Sequence, residues 1–181
     1  MDVIRFLVKT FTDLYLLVFM LRLILQWVRA DYYNPISQFV IKVTDPLVVP
    51  ARRILPSVGK LDTPTLVVLV LLQCLVTYLL LLLIDFTPSA GTFIYLVVIR
   101  LIRLVIWTYT IALFGYVILS WVAQARYSPI AMVLGQVVGP LLRPVRRILP
   151  PIGGLDLSPM LVLILLYAAS IAVGDLPLYL R

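Results

Sequence analysis

The sequence contains no histidine, no glutamate and a single cysteine, Cys74. Without histidine the chain lacks the side chain most used as a metal ligand and as a general base near neutral pH. One cysteine excludes an intrachain disulfide and the cysteine-rich zinc patterns. Cys74 lies in an apolar run and reads as a small buried hydrophobe. No serine–lysine or paired-aspartate arrangement stands out in an apolar run. No catalytic residue, cofactor or metal site is therefore expected, and the chain reads as non-enzymatic. No nucleic-acid-binding motif is present either.

Apolar surface is what the chain has in excess. It is 63% hydrophobic over 181 residues, with mean hydropathy +1.12. Soluble domains are roughly 45–50% apolar, and a chain this short cannot bury the surplus, which must face lipid. Fifteen Lys and Arg against eight Asp give a net charge of +7. The bases sit mostly at the ends of apolar runs, where each adds about 1 kcal/mol of attraction to anionic lipid. The stretch after Met1 has no small-residue cleavage site before Trp27, so it is expected to be a retained span rather than a signal peptide.

Shifting the chain by 94 residues overlays it on itself. Trp27 meets Trp121, Pro35-Ile36 meets Pro129-Ile130, and Arg52-Arg53-Ile54-Leu55-Pro56 meets Arg146-Arg147-Ile148-Leu149-Pro150. From Arg22/Tyr116 to Asp62/Asp156, nineteen of forty-one pairs are identical without a gap. Residues 1–94 and 95–181 thus read as two copies. Each has a first apolar run (about 11–28 and 104–123), an amphipathic loop (35–56 and 129–150) and a second run (about 65–84 and 160–173). A spanning helix needs about 20 apolar residues, and only helices or closed barrels satisfy their backbone in lipid. Unbroken runs such as Leu79–Leu83 exclude the alternation of barrel strands. The expected fold is an all-α membrane protein: four transmembrane helices from two tandem parallel repeats, each with an interfacial amphipathic helix between its spans. Arg100, Arg103 and the apolar residues around them are expected to prolong the third span along the interface.

Pro35 opens a segment whose apolar residues, Ile36, Phe39, Val40, Val43 and Leu47, fall on one helical stripe. In the second copy the stripe is Ile130, Val133, Leu134, Val137 and Leu141. Pro46, Pro50 and Pro56, with Pro140, Pro144 and Pro150, are expected to break the rest of each loop into a stiff, bent connector carrying the arginine pairs. Gly59 and Gly153 permit a tight turn. Asp62 and Ser158 read as N-caps of the second spans. For Asp62 and Asp156, capping or pairing with the nearby arginines outweighs an ion or proton site.

The stretch from Pro140 to Pro159, with its Arg-Arg-Ile-Leu-Pro-Pro-Ile-Gly-Gly-Leu-Asp core, resembles the signature of the YggT family, called YlmG in Gram-positive bacteria and plastids. The first copy carries a looser version, with Lys60 in place of the second glycine. The resemblance covers essentially the whole chain. It implies a multi-pass protein of the bacterial inner membrane, from a family connected with cell division, nucleoid distribution, osmotic tolerance and assembly of photosynthetic membrane complexes. It supplies no catalytic residue.

Two charges fall inside the first run, Asp13 and Arg22, opposite Trp107 and Tyr116 in the second copy. Lys9 and Asp13 are placed to pair one turn apart, and Arg22 to snorkel outward. Gln73, Thr77, Thr108, Thr110 and Ser170 are expected to hydrogen-bond between helices. Trp27, Trp121, Tyr32, Tyr33 and Tyr127 suit an aromatic belt. Arg52, Arg53, Arg143, Arg146 and Arg147 are the candidates for binding anionic lipid or partner membrane proteins. Nine bases in the inter-span loops against five on the other side place the loops in the cytoplasm and the termini in the periplasm. The expected function is a scaffold or assembly factor, possible as a homo-oligomer. The alternative is a small oligomeric channel or transporter for ion homeostasis.

Overall fold

Leucine- and valine-rich runs with few breakers have one way to pair their backbone without water, and they take it. The computed structural model describes residues 2–57, 59, 61–122, 128–149 and 156–174. Among these it forms six helices: α1 (Asp2–Trp27), α2 (Pro35–Ile54), α3 (Thr63–Leu82), α4 (Ala90–Trp121), α5 (Pro129–Ile148) and α6 (Ser158–Ala172). Local chemistry sets the ends. The Asn34 side chain accepts from the Ile36 N–H and Pro35 opens α2, while Ser128 does the same for α5 ahead of Pro129. α1 and α3 stop where Arg29 (φ 53°) and Asp85 (φ 52°) turn left-handed. The N–H groups just beyond then reach back to the Leu25 and Leu81 carbonyls.

Against expectation, α1 starts nine residues before residue 11 and α4 starts fourteen before residue 104. The prolongation carrying Arg100 and Arg103 is continuous helix. α2 and α5 also run straight through Pro46 and Pro50, and through Pro140 and Pro144, where broken connectors were expected. Each proline forfeits one backbone bond. Packing of Val40 and Val48, and of Val137 and Leu142, all buried, holds the helices regardless. The seated face is rotated from the expected stripe. In α2 the buried residues are Ser37, Val40, Thr44 and Val48, while Phe39 and Leu47 are exposed. In α5 Val133 and Val137 are buried as expected, but Ile130 is exposed.

Within each half the three helices pack on one another: α1, α2 and α3, then α4, α5 and α6. The halves meet through α1 against α4 and α5, α3 against α4, and α2 against α5. Leu16, Phe19, Leu69, Leu80, Leu96, Leu113 and Leu142 fill the interior. The outside is apolar too, with Phe6, Phe11, Leu71, Leu75, Ile94, Trp107, Phe114, Tyr167 and Ile171 exposed. α3 and α4 are long and apolar enough to cross a membrane by length and composition, and α6 is a shorter apolar helix.

Candidate functional site

Arg52 and Arg53 occupy the last turn of α2, and Arg146 and Arg147 the last turn of α5. Cations suit this position because unpaired carbonyls give a helix C-terminus partial negative charge. Adjacent residues on a helix point about 100° apart, so the two arginines of a pair take different roles. Arg52 Nη2 donates to both carboxylate oxygens of Asp62 at 3.1 and 3.0 Å. Arg146 Nε and Nη2 both donate to Asp156 Oδ2, at 2.9 and 2.7 Å. Arg53, Arg143 and Arg147 are exposed and make no ion pair among the described residues. Ile54 and Ile148, the next residues, are 82% and 84% exposed. Each elbow therefore ends in an outward Arg-Ile pair. Pro56 comes after the end of α2, and Gly59 turns at φ +60°. Pro150 and Gly153 lie outside the described residues.

Asp62 stands at the start of α3, but its carboxylate caps no backbone N–H. It is 1% exposed and accepts from Thr65 Oγ1 and from Ser57 Oγ besides Arg52. Arg22 Nε lies 3.9 Å away. Arg22 does not snorkel: it is 5% exposed, and its Nη1 donates to Asp45 Oδ1 at 2.8 Å, to Thr44 Oγ1 and to the Ile41 carbonyl. Two arginines and two aspartates thus tie α1, α2 and the start of α3 together. The side of α2 that carries Thr44 and Asp45 is the one that meets Arg22.

In the second half Tyr116 takes the place of Arg22. Its hydroxyl, then the Asp156 carboxylate, push the Arg146 guanidinium above its usual pKa despite partial burial. Burial alone would raise the Asp156 carboxyl, but hydrogen bonds from Ser158 and Arg146 outweigh it and hold the pKa below the usual 3.8. Asp156 Oδ1 accepts the Ser158 N–H at 3.0 Å. Ser158 is therefore the first residue of α6 and not its cap.

On the opposite side Asp13 pairs with Arg100 at 2.8 Å, in the other half of the chain, and not with Lys9. With Lys9, Gln73, Arg103, Trp107 and neighbouring leucines they line a cavity of about 590 Å³. Another, of about 600 Å³, lies beside Arg22, Arg29, Asp45 and Arg52. Among the described residues, the polar groups expected to bond between helices bond within their own instead. Gln73 donates to Thr77, Thr108 to the Leu104 carbonyl, Thr110 to Ile106 and Ser170 to Tyr167. Cys74 is half-buried. Trp27, Trp121, Tyr32 and Tyr33 are exposed, and Tyr127 lies outside the described residues. Sequence reasoning missed the Asp13–Arg100 pair. Its one signal was that neither residue has a charged counterpart 94 positions away.

Among the described residues the chain is all helical, two of its helices are long and apolar enough to cross a bilayer, and large apolar side chains stand outside while Arg22, Asp62 and Arg100 are buried. The chain belongs to the CCB3/YggT family, whose model matches residues 1–83 and again 95–176. It is 40% identical to the uncharacterized protein YggT of Escherichia coli over 97% of this chain and 91% of that one. It is 42% identical to an uncharacterized protein in the proC 3' region of Vibrio alginolyticus, over 97% of this chain and 96% of that one. An uncharacterized Haemophilus influenzae protein is 37% identical over 83% of this chain and 80% of that one. No solved structure matches the chain.

Proposed function

We propose that the chain is a multi-pass protein of the bacterial inner membrane in which α1, α3, α4 and α6 cross the bilayer as two parallel copies. In this reading it is a non-enzymatic scaffold or assembly factor, with its elbows on the cytoplasmic side. The residues that carry the reading are Arg53-Ile54 and Arg147-Ile148, left outward in both halves while Arg52 and Arg146 are held by aspartates. An exposed isoleucine beside an exposed arginine matches the headgroup boundary. The apolar side chain enters the acyl region while the guanidinium meets phosphate or the acidic face of a partner. Arg143 adds a third exposed base on the second elbow.

A channel fits less well. The cavity at Asp13 and the one at Arg22 lie at two levels of α1, and fully buried Leu16 and Phe19 of α1, with Leu69 of α3, lie between those levels. The deciding experiment is photocrosslinking in cells from residues beside Arg53 and Arg147. Defined adducts, weakened by R53Q/R147Q without loss of membrane insertion, are expected. Capture unchanged by that double substitution, or selective ion flux through the purified chain in liposomes, would overturn the reading.

A further inference from the structure

The cavity beside the first elbow has no part in the scaffold reading. Arg22, Arg29, Tyr32, Asp45 and Arg52 stand on its wall, and its volume is about 600 Å³. That falls in the usual range for small-molecule sites, about 300–1,000 Å³. Most of its charges are spent on one another. Asp45 Oδ1 holds Arg22, and Asp62 holds Arg52. Arg29 is exposed and makes no ion pair among the described residues. The Asp45 side chain is 40% exposed, and its Oδ2 accepts no hydrogen bond among the described residues. A cation and a carboxylate oxygen thus share one cavity without meeting, which leaves room for a molecule that carries both signs.

The mixture of signs is not a by-product of the shared fold. Arg22, Arg29 and Asp45 stand opposite Tyr116, Ala123 and Gly139 in the second copy, while Tyr32 and Val49 stand opposite Arg126 and Arg143. The matching positions there are basic and hold no acid. Ile41, also on the cavity wall, gives way to Gly135, against which the Tyr116 ring packs: a Cβ there would lie 3.5 Å from Tyr116 Cε2. Arg29 comes two residues after the exposed Trp27 that ends α1, the level of an aromatic belt.

We propose that this cavity takes a phosphate that carries a primary ammonium, the headgroup of phosphatidylethanolamine. Arg29 meets the phosphate. Asp45 Oδ2 accepts from the ammonium, and Tyr32 supplies an aromatic ring to the same cation. The inference rests on the membrane placement, with the elbow side at the headgroups, and not on what the elbows hold.

Native mass spectrometry of the full chain in detergent tests it, as the affinity for the first lipid bound. Phosphatidylethanolamine, phosphatidylcholine and phosphatidylglycerol of matched acyl chains are compared, with free phosphoethanolamine and inorganic phosphate titrated separately. Tightest binding of phosphatidylethanolamine identifies a lipid as the source. Phosphoethanolamine held in preference to phosphate, with the three lipids equal, identifies a soluble molecule. In either case Asp45→Asn cuts the preference for the ammonium-bearing ligand about tenfold, the effect of losing one charged contact. It leaves phosphatidylglycerol or phosphate bound no more weakly, whereas a purely structural role would weaken every ligand alike. Arg29→Gln weakens all the phosphate ligands and keeps their order. R53Q changes neither, separating this site from the elbows. No preference for the ammonium-bearing ligand in either series, or a preference indifferent to Asp45→Asn, would overturn the proposal.

Discussion

A carboxylate kept almost wholly from solvent stays charged only if its partners repay the lost hydration. Asp62 has Arg52 against both oxygens, two hydroxyl donors and Arg22 close by. Taking the aspartate away removes the carboxylate that holds Arg52 and leaves buried Arg22 with Asp45 as its one nearby carboxylate among the described residues. Asp62→Ala is therefore expected to lose about 3 kcal/mol, seen as a lower unfolding midpoint in detergent. Arg53→Gln, at an exposed side chain without an ion pair, should stay within about 0.5 kcal/mol of the parent. Asp156 is half-exposed and offers a pH test. Its pKa is lower in the fold than the usual 3.8, so its contribution is complete above that value. It is lost as pH falls through the folded value. Asp156→Asn should flatten the acid limb of the stability curve below about pH 4 and lower the plateau above it. Spacing showed that Asp62 and Asp156 stand near arginines. Which arginine of each pair would turn inward depends on how the helix rolls against its neighbours, and no residue spacing records that.

The order of the helices was legible, but the lengths of α1 and α4 and the continuity of α2 and α5 were not. Pro35 and its counterpart Pro129 mark starts by chemistry contained in a few residues, whereas the caps Asn34 and Ser128 were not read from the sequence. The interior prolines misled for a related reason: propensity is a local preference, and the burial of Val40 and Val48 outweighs it. The rotated face of α2 escaped detection because Thr44 looks like a surface residue until Arg22 is placed against it. Close packing of α4 and α5 is another product of tertiary fit. A Cβ on Gly115 would lie 3.2 Å from Leu134 Cδ1, whereas one on Gly91 meets nothing within 4 Å. Gly115→Val is accordingly expected to cost about 1–3 kcal/mol by overpacking, against a small change for Gly91→Val. Thermal unfolding of the two variants side by side checks this.

At the scale of the whole chain, polar ties join the halves on both sides. Asp13 to Arg100 closes one side; on the other, the Asn34 side chain donates to the Pro129 carbonyl and Gln136 accepts from the Asp31 N–H. These contacts, with α1 against α4, should hold two separately made fragments together. Residues 1–86 and 87–181, co-expressed, are expected to co-purify. Asp13→Ala in the first should cut the recovered complex severalfold, because it leaves Arg100 buried without its counter-charge. Recovery indifferent to that change would mean the apolar contacts suffice.

The fifteen residues of α6, from Ser158 to Ala172, have a further bearing on the host membrane. At 1.5 Å per residue the helix is about 22 Å long, several ångströms less than an ordinary hydrocarbon core. Embedded as proposed, it would pinch the two leaflets towards each other along one flank, at a fraction of a kcal/mol per ångström. Neighbours with similarly short spans would be drawn to that flank to share the dimple, an attraction transmitted by lipid alone that needs no matching of side chains.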